Sequence, residues 1–130
     1  MIPKFRAWYK EWKEMGRVGE IRFDLDGSVS VVLFKGNYLD VSGPREKIVL
    51  MQSTGLRDKN GKEIFEKDIL DYNGRKVIVK WHGSYACFIY EFVDELKNRK
   101  TEWKPLYLSY YKFEVIGNIY ENPELLEVTE

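Results

Sequence analysis

The sequence predicts a mainly β protein. A small β-rich subdomain occupies 1–53, a turn-rich connector 54–63, and an SH3-like small barrel with a short C-terminal helix 64–130. Three observations carry this. Short runs alternate polar and apolar residues at the period of a half-buried strand. Pairs such as Asp26-Gly27 and Asn73-Gly74 stand between the runs, and such pairs accept the positive φ of tight hairpin turns. Finally, 44% of the chain is hydrophobic and 15% aromatic, enough for a core, while 130 residues fit one domain or two very small ones.

The first element is Lys4–Trp8, which alternates polar and apolar residues. Glu20–Phe23, the turn at Asp26-Gly27 and the Val- and Phe-rich run Ser28–Phe34 predict a hairpin. Gly36-Asn37 and Gly43-Pro44 punctuate the next stretch, and Lys47–Gln52 reads as another strand. The connector Thr54–Glu63 is polar and turn-rich, with Gly55 and Asn60-Gly61, and Leu56 is its only apolar residue. Beyond it, Ile69–Tyr72, Val77–Trp81 and Tyr85–Phe92 predict consecutive antiparallel strands, with Asn73-Gly74 in a primed turn. Val77, Val79 and Trp81 share one face; Lys76, Ile78 and Lys80 take the other. Together with Glu114–Ile119 these strands suggest a curled sheet of the SH3-like type, although other small barrels share the pattern. The charged stretch Asp94–Trp103 fits a short helix, with Glu95 and Arg99 at i, i+4, equally as well as an exposed loop. Asn122-Pro123 reads as a helix start, with Asn122 capping the first amides.

Charge and composition exclude several classes of function. Lys and Arg number 21, as do Asp and Glu, so the net charge is zero and a strongly basic nucleic-acid-binding body is not indicated. No apolar run reaches the roughly 18 residues of a membrane-spanning helix, and Met1–Lys4 lacks the features of a signal peptide. One cysteine, Cys87, forbids an internal disulfide and fits a reducing cytosol. With a single histidine as well, no Cys/His zinc site can be built.

Motifs that suggest chemistry fail on spacing. Gly55 to Gly61-Lys62-Glu63 has one residue too many for a phosphate loop, and Glu63 replaces the hydroxyl that would hold magnesium. Asp58-Lys59-Asn60-Gly61 brings its glycine at position four, where an EF-hand loop needs it at six; a tight turn explains the run better. Alternation from Cys87 puts Tyr85 and Ile89 on its face, so the thiol is expected to pack as a small hydrophobe and not to act with His82. Nothing selects two of the many carboxylates as an acid and a base. The expectation is a protein without enzymatic activity, cofactor or metal.

A binding surface is the remaining candidate. Trp81, Tyr85, Tyr110 and Tyr111, with Arg75, Lys76 and Lys80 nearby, can stack bases and contact phosphates, as single-strand-binding barrels do. The run Trp103–Phe113 adds Trp103, Tyr107 and Phe113, more aromatic area than alternation can turn inward. The partner-binding candidates are therefore Arg75, Lys80, Trp81, Tyr85, Trp103, Tyr110 and Tyr111. Such a surface predicts a homo-oligomer of unknown copy number. The competing reading is that these rings line a seam between the two subdomains.

Three segments carry a family likeness. KFRAW, Lys4–Trp8, resembles the opening of the YopX-like family of phage and prophage proteins. LMQSTGLRDKNGKEIFEKDIL, Leu50–Leu70, is similar to that family's central signature, and VIGNIYENPELL, Val115–Leu126, to its C-terminal one. Phe65 stands where the family commonly has Tyr, and Lys67 where it commonly has Gly, which implies a turn that does not need positive φ. The resemblance implies a phage-encoded protein in the cytoplasm of a bacterial host. It also implies an SH3-like barrel beside a second small subdomain, no established enzymatic activity and self-association; a host or phage protein is a further candidate partner. It brings no catalytic or ligand residue. Gly55, Gly61 and Gly117 read as backbone-permissive positions, and Asp58 and Asn60 as turn formers.

Overall fold

The computed structural model describes residues 4–27, 29–35, 40–44, 48–96 and 102–127. Two antiparallel sheets and little helix make up these residues. The chain divides into two compact units, Met1–Gln52 and Ser53–Glu130.

In the first unit β1 (Phe5–Tyr9), β2 (Glu14–Phe23), β3 (Val29–Lys35), β4 (Asp40–Pro44) and the start of β5 (Ile48–Arg57) pair in the order β4-β3-β2-β1-β5. Ala7, Tyr9 and Ile48 form its buried cluster, with Val18 and Leu50 packed against them. The hairpin read around Asp26-Gly27 is present, and Gly27 takes a φ of 90° while its amide donates to the Asp24 carbonyl at 2.9 Å. β2 is far longer than Glu20–Phe23, because Gly16 and Gly19 interrupt the alternation without ending the pairing. Gly43-Pro44 is not a turn but the end of β4. A proline is tolerated there because β4 is an outer strand, where a missing N–H breaks no ladder. Gly36-Asn37 lies outside the described residues.

The connector read over 54–63 is instead a folded hairpin. Thr54–Arg57 completes β5, and Glu63–Phe65 forms β6, paired through Ser53↔Phe65 and Arg57↔Glu63 with a register shift between. Gly55, at a φ of 76°, lies within that shift. The polar residues that suggested a linker turn inward to satisfy backbone: Thr54 is buried and its hydroxyl donates to the Ile64 carbonyl at 2.7 Å.

The second unit builds its sheet from β7 (Asp68–Tyr72), β8 (Arg75–His82), β9 (Cys87–Phe92), β10 (Trp103–Pro105) and β11 (Glu114–Asn118). Their order is β10-β9-β8-β7-β11, and all pairs are antiparallel. Tyr72 pairs with Arg75 across a two-residue loop, in which Asn73 has a φ of 51° and Gly74 of 87°. This is the primed-turn geometry the dipeptide predicts. β9 starts at Cys87, later than expected. His82↔Cys87 is the first pair, Tyr85 belongs to the loop, and Ala86 reverses the chain at a φ of 50°.

Leu70, Val77, Val79 and Tyr90 project from one face of this sheet, where Ile64, Leu106 and Phe113 complete the core. Each such aliphatic burial stabilises the fold by about 1.5–3 kcal/mol. The opposite face is not left to water: Ile69, Ile78 and Ile89 are buried as well.

Between the later strands the chain makes α1 (Val93–Leu96) and 3-10 turns at Leu106–Leu108 and Tyr110–Lys112. Of Asp94–Trp103, the first residues belong to the single helical turn and Trp103 begins β10, while 97–101, Arg99 among them, lie outside the described residues. Pro123–Leu126 is a 3-10 turn that Asn122 does not cap with its side chain. The Asn122 oxygen accepts instead from the Asn118 amide at 3.2 Å. Gly117 is explained by that contact, since a Cβ there would collide with the Asn122 side chain. It is needed for close approach and not for positive φ.

Candidate functional site

The structure distributes the seven candidate residues over several places. Tyr85 and Trp103 meet, with ring centroids 5.1 Å apart. His82 lies against both, at 5.0 Å from Tyr85 and 4.7 Å from Trp103, and its Nδ1 is shielded with no hydrogen-bond partner. Trp81 precedes His82 on β8 and so takes the other face, where its ring contacts Phe88 edge-on at 5.0 Å. Tyr110 and Tyr111 belong to a 3-10 turn and contact each other at 5.7 Å. Tyr110 packs on the core, while Tyr111 is exposed with the Lys112 ammonium above its ring.

The two candidate cations are engaged within the fold. Arg75 stands at the far end of β8 from His82, roughly 20 Å away at strand rise. Its guanidinium donates to both Asp94 oxygens at 3.1 and 3.2 Å, comes within 3.6 Å of Glu95, and lies 3.8 Å from the Phe92 ring centre. Hydrogen bonding to Asp94 is the main reason its pKa rises above the ordinary arginine value. Lys80 donates to Glu91 at 3.1 Å on the neighbouring strand. Arg75 and Lys80 therefore bring no unpaired positive charge to the aromatic contacts.

Three residues of these surfaces escape a reading of the sequence alone. His82 takes its position opposite Cys87 from a four-residue loop, and Phe88 is the partner of Trp81 across the strands. Leu108 is the third. Tyr107, Leu108 and Tyr111 are exposed by 58, 60 and 57%, which makes them the most open apolar side chains of the Trp103–Phe113 run. The cue was present in the absence of alternation between Leu106 and Tyr111.

The turn at Asp58 has a different character. Asp58 is buried, and one carboxylate oxygen accepts from the amides of Asn60 at 2.9 Å and Lys62 at 2.8 Å. The other accepts from the Val115 amide at 2.8 Å. Burial alone would raise the carboxyl's pKa, but the amides of Val115, Lys62 and Asn60 and the Lys62 charge outweigh it, holding the group below the ordinary carboxylate value. Nearby, the Lys59 amide donates to the Phe113 carbonyl at 2.9 Å and the Ile119 amide to the Lys67 carbonyl at 3.1 Å.

Residues 4–127 match the family model described as YopX protein. The chain belongs to the YopX family. The crystal structure of protein EF1440 from Enterococcus faecalis is similar to it, at 33% sequence identity and a TM-score of 0.68, over 98% of this chain and 99% of that one. No curated protein matches. The geometry explains the YopX likeness of Leu50–Leu70 and Val115–Leu126 in structural terms. Asp58 bonds Val115 and Lys67 bonds Ile119, so the two segments are joined by backbone-directed hydrogen bonds. Lys67, expected to leave its turn free of positive φ, adopts a φ of 67°. Its amide donates to the Val79 carbonyl and its carbonyl accepts from Ile119, so the surrounding bonds hold the left-handed conformation whichever residue occupies it.

Proposed function

We propose that this YopX chain is a non-enzymatic binding or assembly module, acting in the cytoplasm of a bacterial host as a phage or prophage accessory protein. The second unit works in this reading as an SH3-like barrel. The core cluster around Leu70, Val77 and Val79 and the contact of the Asp58 turn with β11 support a curled sheet. The observation that carries the reading is the exposure of Tyr107, Leu108 and Tyr111 along one short segment. Burying such side chains against a partner removes apolar area from water, and large exposed apolar patches commonly mark interaction sites. The partner is a further copy of the chain, in a closed assembly, or a phage or host protein. The double variant Tyr107→Ser/Tyr111→Ser tests this by light scattering on a sizing column. The wild type is expected to exceed the mass of one chain at tens of micromolar and the variant to approach it; a wild type at the mass of one chain removes self-association. Nucleic-acid binding through Trp81, Tyr85 and their basic neighbours is the weaker reading, because Arg75 and Lys80 are paired with carboxylates. Anisotropy of labelled oligonucleotides across a salt series would bring it back if affinity fell steeply with salt.

A further inference from the structure

Residues 103–113 hold Lys104 and Lys112 and no Asp or Glu, while residues 119–130 hold Glu121, Glu124, Glu127 and Glu130 and no Lys or Arg. Both lysines are exposed and make no ion pair among the described residues, and the flanking carboxylates Glu102 and Glu114 pair with neither. The Lys112 ammonium stands 5.7 Å from the centre of the exposed Tyr111 ring, so open positive charge and aromatic area coincide there. On the acidic side, Glu121 is engaged by the Asn118 amide group, but Glu124 and Glu127 are exposed and make no ion pair among the described residues. The Glu127 amide donates to the Glu124 carbonyl at 3.2 Å, a 3-10 closure that sets these two carboxylates on one side of the turn, with the partly exposed Leu125 and Leu126 between them.

β11 separates the two segments within one chain. Lys112 stands before its first residue and the Asn122 amide returns to its last, Asn118, roughly 15 Å away at strand rise. One copy therefore holds its open lysines and open glutamates apart, and the two can meet between copies. We propose that residues 107–112 of one copy dock residues 123–127 of a second. Lys104 and Lys112 meet Glu124 and Glu127, and Leu125 and Leu126 cover Tyr107, Leu108 and Tyr111. This rests on the binding-module reading above and names its partner surface. About a twofold axis the contact is made twice and the assembly closes. The charges set register and partner choice, while the apolar side chains supply the affinity.

Lys104→Glu/Lys112→Glu and Glu124→Lys/Glu127→Lys reverse one side each, at exposed positions, with circular dichroism checking the fold. Sedimentation velocity over a concentration series at low salt should show each variant associating about tenfold more weakly than the wild type. The chain carrying all four reversals, and an equimolar mixture of the two variants, should return to within about threefold of it. Wild-type association in either one-sided variant, or no recovery in the fourfold reversal and the mixture, would overturn the pairing. Tyr107→Ser/Tyr111→Ser separates the two conclusions. If it alone dissociates the chain, only the acidic partner surface falls; if it too leaves association unchanged, the binding-module reading falls with it. A wild type at the mass of one chain throughout also overturns the pairing, and oligonucleotide anisotropy that then depends on Lys112 assigns the surface to nucleic acid instead.

Discussion

Asp58 gathers three backbone hydrogen bonds onto one buried side chain, and its environment is internally consistent. Its carboxylate is costly to bury, yet three amides meet it, and charged acceptors bond more strongly than neutral ones. Asp58→Ala is expected to lower stability by about 2–3 kcal/mol at neutral pH, since the amides lose an ionised acceptor. The folded pKa lies below the unfolded one, so this contribution is complete above the unfolded carboxylate pKa of about 4 and is lost as pH falls through the folded value. Denaturant midpoints of wild type and variant should therefore converge below about pH 4; a gap that does not change with pH would exclude the ionised acceptor. Lys67 predicts a change of the opposite sign. Its left-handed backbone costs a side-chain-bearing residue about 1–2 kcal/mol. Part of that is offset by glycine's greater unfolded-state entropy, so Lys67→Gly should raise stability by about 0.5–1 kcal/mol. A lowered midpoint would mean that the lysine side chain contributes more than its conformation costs. Asp68, the first residue of β7, accepts from the Phe65 amide at 2.8 Å; Asp68→Ala should cost about 1 kcal/mol, read as a lowered denaturation midpoint.

At the scale of elements, two glycines separate conformational need from spatial need. Gly74 sits at a φ of 87° with nothing near an added Cβ, so Gly74→Ala should cost only the backbone penalty, about 1 kcal/mol. Gly117→Ala must displace the Asn122 side chain, and with it the bond to the Asn118 amide. Asn118 itself accepts from Tyr120 and Glu121, so the whole 118–122 turn is coupled to that one glycine. Exchange of the Asn118 and Glu121 amides is expected to accelerate in Gly117→Ala and to stay unchanged in Gly74→Ala; equal protection in both variants would refute the coupling. The hairpin β7–β8 was legible because local pattern and turn dipeptide agree there. The connector was not legible, because Thr54, Asp58 and the glycines look like linker composition until their backbone partners are known. The same holds for Tyr85, whose apolar character reads as strand although it lies in a loop.

For the whole molecule, zero net charge and a pI near 6.6 leave association to short-range contacts. Light-scattering mass at fixed concentration should be greatest near pH 6.6 and fall on either side as net charge grows. A mass insensitive to pH across that range would show that bulk charge does not regulate association. The family was legible in the sequence because two long signatures and the opening strand stand out despite the departures at Phe65 and Lys67, and the family match over residues 4–127 agrees with them. The mainly β class was legible as well, since strand alternation and turn dipeptides are local properties. The candidate surface was only partly so. Aromatic content could be counted, but Tyr85 and Trp103 meet only through the β8–β9–β10 arrangement, and Arg75 and Lys80 are committed to Asp94 and Glu91 by pairings that composition does not reveal. The sequence by itself determined which short segments extend and where they turn, because propensity and φ tolerance act within a few residues. Only the tertiary structure decided which polar groups are buried and which aromatic ones are exposed. Those outcomes depend on neighbours distant along the chain, as the bond between Asp58 and Val115 illustrates.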